Sequence, residues 1–391
     1  MAALAIFRAL SHTGRVAMDA PDTPPPSLSK IARRAGVAKS TVSMALRNDP
    51  LISERQRKRI RKMATGMGWR PQPHVAQLMS QLSLLRNRQC KATLAMVSAV
   101  EADPKTIPPS SAAAGWLAGA EARARQLGYG LDHFWLHDPE ISAERLAKIL
   151  WARNVQGVVL HSLDSTTCLP LAKRGSAWRQ FPIVTIGSRM QMFPLNFVCA
   201  DYHATAMQGC RQLLSSGYRR IGLYMVRWLD NKWEHRLVGG YRTCMEEWEL
   251  DMPPVFFVNC PRNQPADESV QAAFKRWLTE QRLDACLGVT SYVLDRILMA
   301  GLQVPGDIGV AVLDLPGELR GRVAGMEQQH MNAGMAAIDA LVSQILRQEA
   351  GIPPFQQGIM IGSSWVPGPT VRAVTPTAVR KREDVGRLRN A

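Results

Sequence analysis

The sequence predicts a small all-α headpiece followed by a larger two-lobed α/β body. The chain has 391 residues, which suits more than one domain. Helical apolar periodicity and most of the net positive charge lie in the part up to Lys91, whereas short apolar strands alternate with amphipathic helices after it. We therefore divide the chain into a flexible leader (1–26), the headpiece (27–72), a hinge helix and linker (73–90), the two-lobed body (91–375) and a basic tail (376–391).

The composition is that of a chain that folds in the cytosol. Hydrophobic residues make up 46% and charged residues 20% of the chain, and no apolar run approaches the ~20 residues that a bilayer span requires. The stretch from Met1 to Ala20 lacks the features of a secretory signal. The seven cysteines show no paired metal-ligand spacing, so we interpret them as reduced thiols and expect neither a metal nor a cofactor.

The net charge of +16 is concentrated in one part of the chain. Residues 28–91 hold fifteen Lys or Arg and two acidic residues, which leaves +13 of the +16 there. A basic headpiece on a nearly neutral body is the charge pattern of a protein that binds a polyphosphate with one end. A basic face that is merely solvated is the alternative at this point.

Three short helices are predicted in the headpiece. The first has one apolar stripe, a cap at Ser27 and an end at Gly36, and the third begins at Ser53, which forms a capping box with Gln56. The apolar positions are Leu28, Ile31, Ala32 and Ala35 in the first helix, Val42, Ala45 and Leu46 in the second, and Ile60, Met63, Ala64 and Met67 in the third. The second helix would then point small, polar and basic side chains outward, which fits the major groove of B-DNA.

The headpiece sequence resembles that of the lactose-repressor (LacI/GalR) family. The resemblance lies in the run Ser27–Ser43 and continues through Ile52–Ser53 and Gly68–Pro71. It implies a helix-turn-helix with a sequence-specific, palindromic DNA operator as its partner. It further implies that Lys39, Ser40 and Met44 read bases, and that Thr41, Ser43 and Arg47 lie near phosphates or adjacent bases. Met44 departs from the arginine usual in the family, and Ala38 from its serine cap.

The segment after Pro73 predicts a short hinge helix. Val75, Leu78, Met79 and Leu82 share one helical face. Isolated helices shorter than ~12 residues are marginal in water, so we expect this one to order when two copies pack over DNA. The family resemblance puts Leu78 where a leucine pair is inserted between base steps of the minor groove. An ordinary linker helix is the alternative.

The body predicts two similar α/β lobes in series. Its pattern resembles the periplasmic sugar-binding-protein fold that the same family uses for sensing, over about residues 91–371. The resemblance implies that a small-molecule, sugar-like effector binds between the lobes. Arg236 lies where the family's arginine holds ligand hydroxyls or a carboxylate. Asp314 follows a strand at the edge where open α/β sheets bind ligands, although a loop-capping role is the alternative.

No pattern in the sequence points to an enzyme. The eight histidines are scattered and belong to no nucleophile elbow, zinc-helix motif or phosphate loop. His133 and His137 have helical metal-ligand spacing, but the residues around His133 predict a strand. We therefore identify no catalytic residue.

The sequence thus predicts a homodimeric, cytoplasmic and nucleoid-associated DNA-binding regulator, in the first place a repressor, with no membrane partner. Two other classes stay open: a solute-binding receptor without a regulatory role, and an architectural DNA-binding protein. A footprint would separate the last from a regulator, because a regulator protects a short palindrome.

Overall fold

The computed structural model describes residues 26–46, 52–69, 92–100, 111–163, 167, 169–259 and 268–373. The chain divides into two compact units, Met1–Gln81 and Leu82–Ala391. The hinge segment, with Leu78, and Arg47 lie outside the described residues, as do the leader up to residue 25 and the tail after residue 373. Among the residues described, no helix is both long and apolar enough to cross a membrane.

The first unit contains the three predicted helices. They are α1 (Leu28–Ala35), α2 (Lys39–Leu46) and α3 (Glu54–Gly66). The Ser27 hydroxyl accepts a hydrogen bond from the amide of Lys30 at 3.3 Å, and Gly36 ends α1 in the left-handed conformation, with φ 68°. Both predicted caps of α1 are confirmed.

One small apolar cluster holds these helices together. Its buried members are Ile31, Ala32, Ala35, Val42, Ala45, Ile52, Ile60 and Ala64. The cluster takes residues from all three helices, so each helix depends on the other two for burial. Leu46, Met63 and Met67, which we predicted to point inward, pack against it from partly buried positions.

One prediction about the headpiece needs correction. Ser53 occupies the N-cap position of α3, but its side chain makes no capping hydrogen bond, so the capping box predicted with Gln56 does not form. The turn is instead closed by backbone bonds, in which the amides of Gln56 and Arg57 donate to the Ser53 carbonyl. Met44, predicted to point outward, is partly exposed like Thr41 and Ser43, and part of its side chain also contacts the headpiece cluster.

The second unit is built from two six-stranded sheets. The strands are β1 (Thr93–Ser98), β2 (Gly130–Trp135), β3 (Val155–His161), β4 (Ile183–Ile186), β5 (Asn196–Ala200), β6 (Ile221–Val226), β7 (Phe256–Val258), β8 (Ala285–Gly288), β9 (Gly309–Val312), β10 (Ala324–Glu327), β11 (Gly358–Ile361) and β12 (Ser364–Val366). The order is β11-β5-β4-β3-β1-β2 in the first sheet and β12-β10-β9-β8-β6-β7 in the second. Except for the antiparallel β10–β12 pair, every pairing between neighbouring strands in these sheets is parallel.

Helices flank both sheets, as the alternating pattern predicts. They are α4 (Ala112–Gln126), α5 (Ala143–Ala152), α6 (Tyr202–Ser215), α7 (Arg227–Lys232), α8 (Arg236–Glu247), α9 (Glu268–Glu280), α10 (Tyr292–Met299) and α11 (His330–Arg347). The chain passes between the sheets three times, after β5, after β10 and after β11. The two-lobed prediction is confirmed, and His133 lies on β2 as predicted.

Helices α4 and α11 pack closely enough to exclude side chains between them. A Cβ atom on Gly119 would lie 1.9 Å from the Met331 carbonyl oxygen, and one on Gly334 would lie 2.1 Å from the Trp116 carbonyl oxygen. Such distances exclude any residue larger than glycine without a backbone shift. The last long helix of the chain is thereby fixed against the first lobe.

Candidate functional site

The outer surface of α2 is the first candidate site. Lys39 and Ser40 are exposed at the start of the helix, and Thr41 and Ser43 are partly exposed. Val42 and Ala45 are buried and fix which face of α2 turns inward. The structure therefore brings together on one surface four of the residues that we predicted to contact DNA. Met44 lies beside them, but it also packs inward.

The basic side chains of α3 form a second exposed group in the headpiece. Arg55, Lys58, Arg59, Arg61 and Lys62 are all exposed. Lys58 pairs with Glu54 at 2.8 Å, and Arg61 donates to the Leu46 carbonyl at 3.1 Å. Exposed ion pairs of this kind add little stability, so the fold of the headpiece does not depend on these cations.

The second candidate site is a cavity in the body, between its two lobes. The lining residues are Ser188, Arg189, Phe197, Cys199, Tyr202, Lys232, Trp233, Glu234 and Arg236. The first five follow β4 or belong to β5 and the start of α6, and the other four lie between β6 and α8. The cavity thus lies where strands of each sheet end, which is where open α/β sheets bind ligands.

Glu234 connects the two lobes at this cavity. One of its carboxylate oxygens accepts from Nε of Arg189, and the other lies 3.4 Å from Nη2 of Arg236. Arg236, predicted to bind the effector, therefore does line the cavity, and its guanidinium already faces a carboxylate. Nη1 of the same side chain lies 3.5 Å from the Met360 sulfur.

A pair of stacked aromatic rings lines the cavity. The rings of Tyr202 and Trp233 stack with centroids 4.4 Å apart, and the Tyr202 hydroxyl donates to the Gly187 carbonyl at 2.6 Å. Burial raises the pKa of Tyr202 well above its usual value, and it raises the pKa of the neighbouring Cys199 thiol to about 11. Both groups therefore stay protonated, and the cavity offers no thiolate nucleophile.

Asp314 does not line this cavity. It follows β9 as predicted, but its Oδ1 lies 2.8 Å from Nε2 of His330 at the start of α11. The His330 ring meets the Trp116 ring edge-on at 6.0 Å, and Trp116 meets His161 in the same way at 6.5 Å. Asp314 thus begins a chain of side chains that joins the second lobe to the first.

Three buried polar atoms near the strand ends have no hydrogen-bond partner within the described parts of the chain. They are Oγ of Ser98 at the end of β1, Oδ1 of Asp230 in α7 and Oγ1 of Thr290 after β8. Buried polar groups are normally paired, so unpaired ones at the ligand-binding edge of a sheet point to a partner that the chain does not supply.

The sequence analysis missed most of the cavity. Arg189, Tyr202, Trp233 and Glu234 were not among the predicted site residues. The available signal was the run Lys232–Arg236, in which four of five residues are charged or titratable directly before a predicted helix. No group of three or more His, Cys, Asp or Glu side chains among the described residues is arranged to hold a metal ion.

Buried His161 makes stability depend on pH. Its side chain is 3% exposed, and burial, together with the positive charges of His133 and Lys232, lowers its pKa from 6.5 to about 4. Because the unfolded chain takes up the proton first as the pH falls, stability is lost between about pH 6.5 and about pH 4. From pH 7 to pH 5 we expect a loss of about 2 kcal/mol from this residue.

Urea unfolding at both pH values tests this expectation in the wild type and in His161→Gln. The neutral variant should lose less stability on acidification than the wild type does. Equal losses in the two proteins would show that His161 is not the group responsible.

Comparison with known proteins gives matches over both units. The profile of the bacterial regulatory proteins of the lacI family matches residues 27–72, and that of the periplasmic binding protein-like domain matches residues 210–371. The HTH-type transcriptional regulator DegA of Bacillus subtilis (strain 168) is 26% identical over 223 residues, which are 56% of this chain. The match spans 60% of the length of that relative.

Solved structures share the fold at low sequence identity. A complex of the transcriptional regulator CelR with cellobiose has a TM-score of 0.55 at 18% identity, and covers 88% of this chain and 99% of the other. A lac repressor dimer bound to operator and the anti-inducer ONPF has a TM-score of 0.53 at 17% identity, and the match covers 90% of this chain and 100% of the other. The regulator CcpA of Lactococcus lactis has a TM-score of 0.53 at 16% identity, with 72% and 100% covered.

Proposed function

We propose that this chain, which belongs to the lacI family of bacterial regulatory proteins through its domain at residues 27–72, is a sequence-specific DNA-binding transcription regulator. Its main action in this proposal is repression. Its operator affinity is controlled by a small, sugar-like effector bound between the two lobes of the body. The observation that carries the proposal is the joint presence of a basic three-helix headpiece and a two-lobed body with a cavity between its lobes.

The headpiece reads DNA through α2 in this proposal. Lys39, Ser40 and Met44 contact base edges, Met44 through apolar contact. Thr41 and Ser43 contact phosphates or adjacent bases, which their partial exposure on the same helix supports. Arg47 and Leu78 keep the roles that the family resemblance implies for them, next to the bases and in the minor groove. The basic side chains of α3 contact phosphates, and these contacts strengthen binding to any DNA sequence.

Replacing Met44 with arginine tests which helix reads DNA. Arginine can bond guanine bidentately, whereas methionine offers only apolar contact, for example to a thymine methyl. We expect Met44→Arg to shift base preference at one symmetric operator position by ~1–3 kcal/mol. The salt dependence of binding should stay nearly constant, because a single base-edge contact replaces no phosphate contact.

The matched control for Met44→Arg is Lys62→Gln on α3. Neutralising a phosphate contact should weaken all DNA sequences alike and lower the salt slope by about one unit. Affinities for a set of operator variants at several salt concentrations measure both effects. If Met44→Arg changes affinity equally for every sequence, α2 is not the reading helix.

The body senses the effector through the inter-lobe cavity. Arg236 is the principal contact, because its guanidinium lines the cavity and its planar fork of donors suits hydroxyls and carboxylates. Asp314 acts from the second lobe in this proposal, through its contact with His330. CelR has been solved with cellobiose and a lac repressor with ONPF, which supports a sugar-like ligand here.

Changing Arg236 to alanine should separate sensing from DNA binding. The effector response should be lost, whereas operator affinity without effector should stay within a few-fold, because Arg236 belongs to the body and not to the headpiece. Operator binding with and without metabolite extracts measures both. An unchanged response in the variant would remove Arg236 from the set of ligand contacts.

We further propose that the chain acts as a homodimer in the bacterial cytoplasm, in association with the nucleoid and without an enzymatic role. A single headpiece reads one half-site, so a palindromic operator requires two copies. A receptor without regulatory function would have no use for the headpiece, and an architectural protein would protect no defined palindrome.

A further inference from the structure

The segment Trp233–His235 is held in place by three separate contacts. Trp233 stacks on Tyr202, Glu234 joins Arg189 and Arg236, and Nδ1 of His235 lies 2.8 Å from Oδ2 of Asp230. These contacts draw on both lobes of the body. Trp233 and Glu234 line the cavity, so a movement of this segment would change its size.

The backbone of this segment is in an unfavourable conformation. Glu234 and His235 have φ values of 55° and 59°, in the left-handed region that residues other than glycine rarely adopt. Such strain persists only where surrounding contacts hold it, and it is concentrated at ligand clamps and switches. The contacts of Glu234 and His235 are the ones that hold it here.

The cavity that remains is small. Its empty volume is about 230 Å³, and part of that is space open to solvent, so the enclosed room is smaller still. A sugar-sized ligand therefore has to displace part of the lining. Movement of the Trp233–His235 segment would relieve its unfavourable backbone conformation, so this segment is the part of the lining that we expect to move.

The charges around the cavity favour an anion in place of Glu234. The titratable lining residues besides Cys199 and Tyr202 are Arg189, Lys232, Arg236 and Glu234, so three cations face one anion, a net formal charge of +2. Removing the carboxylate of Glu234 from the cavity would leave the two arginines that it bridges without a counter-ion. A neutral ligand cannot compensate for that loss, because arginine pairs are desolvated only at a cost unless an anion meets them.

Nearby carboxylates do not supply the missing charge. Asp201 caps α6, where its Oδ1 accepts from the Ala204 amide at 3.1 Å. Asp314 is paired with His330, and Asp230 is 2% exposed and paired with His235. Each of these carboxylates already serves another group in the chain.

From these observations we infer that the effector carries a carboxylate, which takes the place of the Glu234 carboxylate between Arg189 and Arg236. Glu234 is then a built-in substitute for the ligand, and its release on binding frees the strained segment to move. The inference rests on the proposed effector role of this cavity and narrows its ligand from sugar-like compounds to sugar acids or similar carboxylates.

Chemical rescue of Glu234→Ala tests the carboxylate site without knowledge of the natural effector. The variant removes Cγ and the carboxylate of the side chain but keeps Cβ, and added propionate brings the same carboxylate on a chain one carbon longer than the deleted fragment. At constant ionic strength we expect propionate to give the full-length variant a saturable rise in Tm of about 2–4 °C. Propionamide, which has no charge, should give none.

Three controls make the rescue specific. The wild type should not respond to propionate, because Glu234 already occupies the site. Glu247→Ala removes a carboxylate from an exposed pair with Arg211 and should not respond either. The double variant Glu234→Ala/Arg236→Ala should lose the response. No rescue, equal rescue by propionamide, or an equal rise in Glu247→Ala would overturn the inference.

Calorimetry with paired ligands tests the class of effector. Glucuronate and galacturonate should bind the full-length chain at least about tenfold more tightly than their neutral methyl esters, because a charged pair is lost in the esters. Glu234→Ala should bind the acids more tightly still. A carboxylate effector would be contradicted if the esters or glucose 6-phosphate bound more tightly than the acids. It would also be contradicted if none of these compounds bound.

Failure of this inference can be told from failure of the proposed function. Operator binding by the same variants depends on the headpiece and is measured separately by fluorescence anisotropy. A chain that binds a defined operator but shows no rescue would retain the proposed function and reject the carboxylate. A chain that binds no DNA selectively would reject the proposed function, whatever it does with propionate.

Discussion

Replacing Ile60 with alanine should abolish operator binding and leave the body folded. Ile60 is 1% exposed and lies in the small apolar cluster that joins all three headpiece helices. Truncating a buried isoleucine to alanine costs about 2–5 kcal/mol, and domains of this size have little more stability than that. The loss therefore equals most of the stability that the headpiece has, and α2 loses its fixed orientation.

The expected result is a fall in operator affinity of at least about thirtyfold, since that is the factor to which the lower figure of about 2 kcal/mol corresponds. Thr65→Ala on the exposed side of α3 is the matched control and should bind DNA like the wild type. The thermal transition of the body should be the same in all three proteins. Undiminished operator binding by Ile60→Ala would mean that the headpiece fold is not what recognises DNA.

Changing Gly119 to alanine should have the largest effect on the body. The added Cβ would lie 1.9 Å from the Met331 carbonyl oxygen, so the backbones of α4 and α11 would have to separate. Overpacking of this kind costs about 1–3 kcal/mol or more, and outweighs the ~1 kcal/mol that alanine gains in helix propensity. A net fall in Tm of several degrees is expected.

The same change should also weaken effector sensing. Trp116 lies on α4 three residues before Gly119, and its ring contacts His161 in the first lobe and His330 on α11. Separating the helices disturbs the chain of side chains that runs through His330 to Asp314 in the second lobe. Gly317→Ala is the control, because a Cβ there meets nothing within 4 Å. An equal Tm for the two variants would contradict the close packing of α4 and α11.

The headpiece could be predicted from the sequence because its signals are local. Apolar residues at helical spacing, a serine cap and a glycine end lie within a few residues of one another, and the structure has α1–α3 where they indicate. The capping box failed because the presence of Ser53 and Gln56 at the right spacing does not fix the rotamers that the bonds need. Met44 contacts the apolar cluster with part of its side chain while it stays partly exposed, because a long apolar side chain at the margin of a small core can do both.

The body was predicted in outline, and its short strands were not. Strands β4, β5, β10, β11 and β12 have three to five residues each, too few for periodicity to separate them from loops. Strand β7 begins only at Phe256, after Pro253 and Pro254, since proline cannot donate to a neighbouring strand. Their places are set by long-range pairing, such as that of β11 with β5, which lies far away in sequence.

The cavity was the hardest part to predict. Arg236 was found through the family resemblance, whereas Trp233 and Glu234 were missed. Their positions depend on left-handed backbone conformations at Glu234 and His235, and neither residue type indicates such a conformation. Arg189 and Tyr202 reach the cavity through the order of strands in the first sheet, which a local sequence pattern does not contain.

Selection of bound sequences from random DNA by the purified full-length chain tests the central claim most directly. A regulator of this design should enrich one short motif with two-fold symmetry, bound by two copies of the chain, and the Ile60→Ala variant should enrich nothing. Metabolite extracts rich in sugars and sugar acids should change the yield of that motif in the wild type but not in Arg236→Ala. Uniform binding to all sequences, with no symmetric motif enriched, would contradict the account.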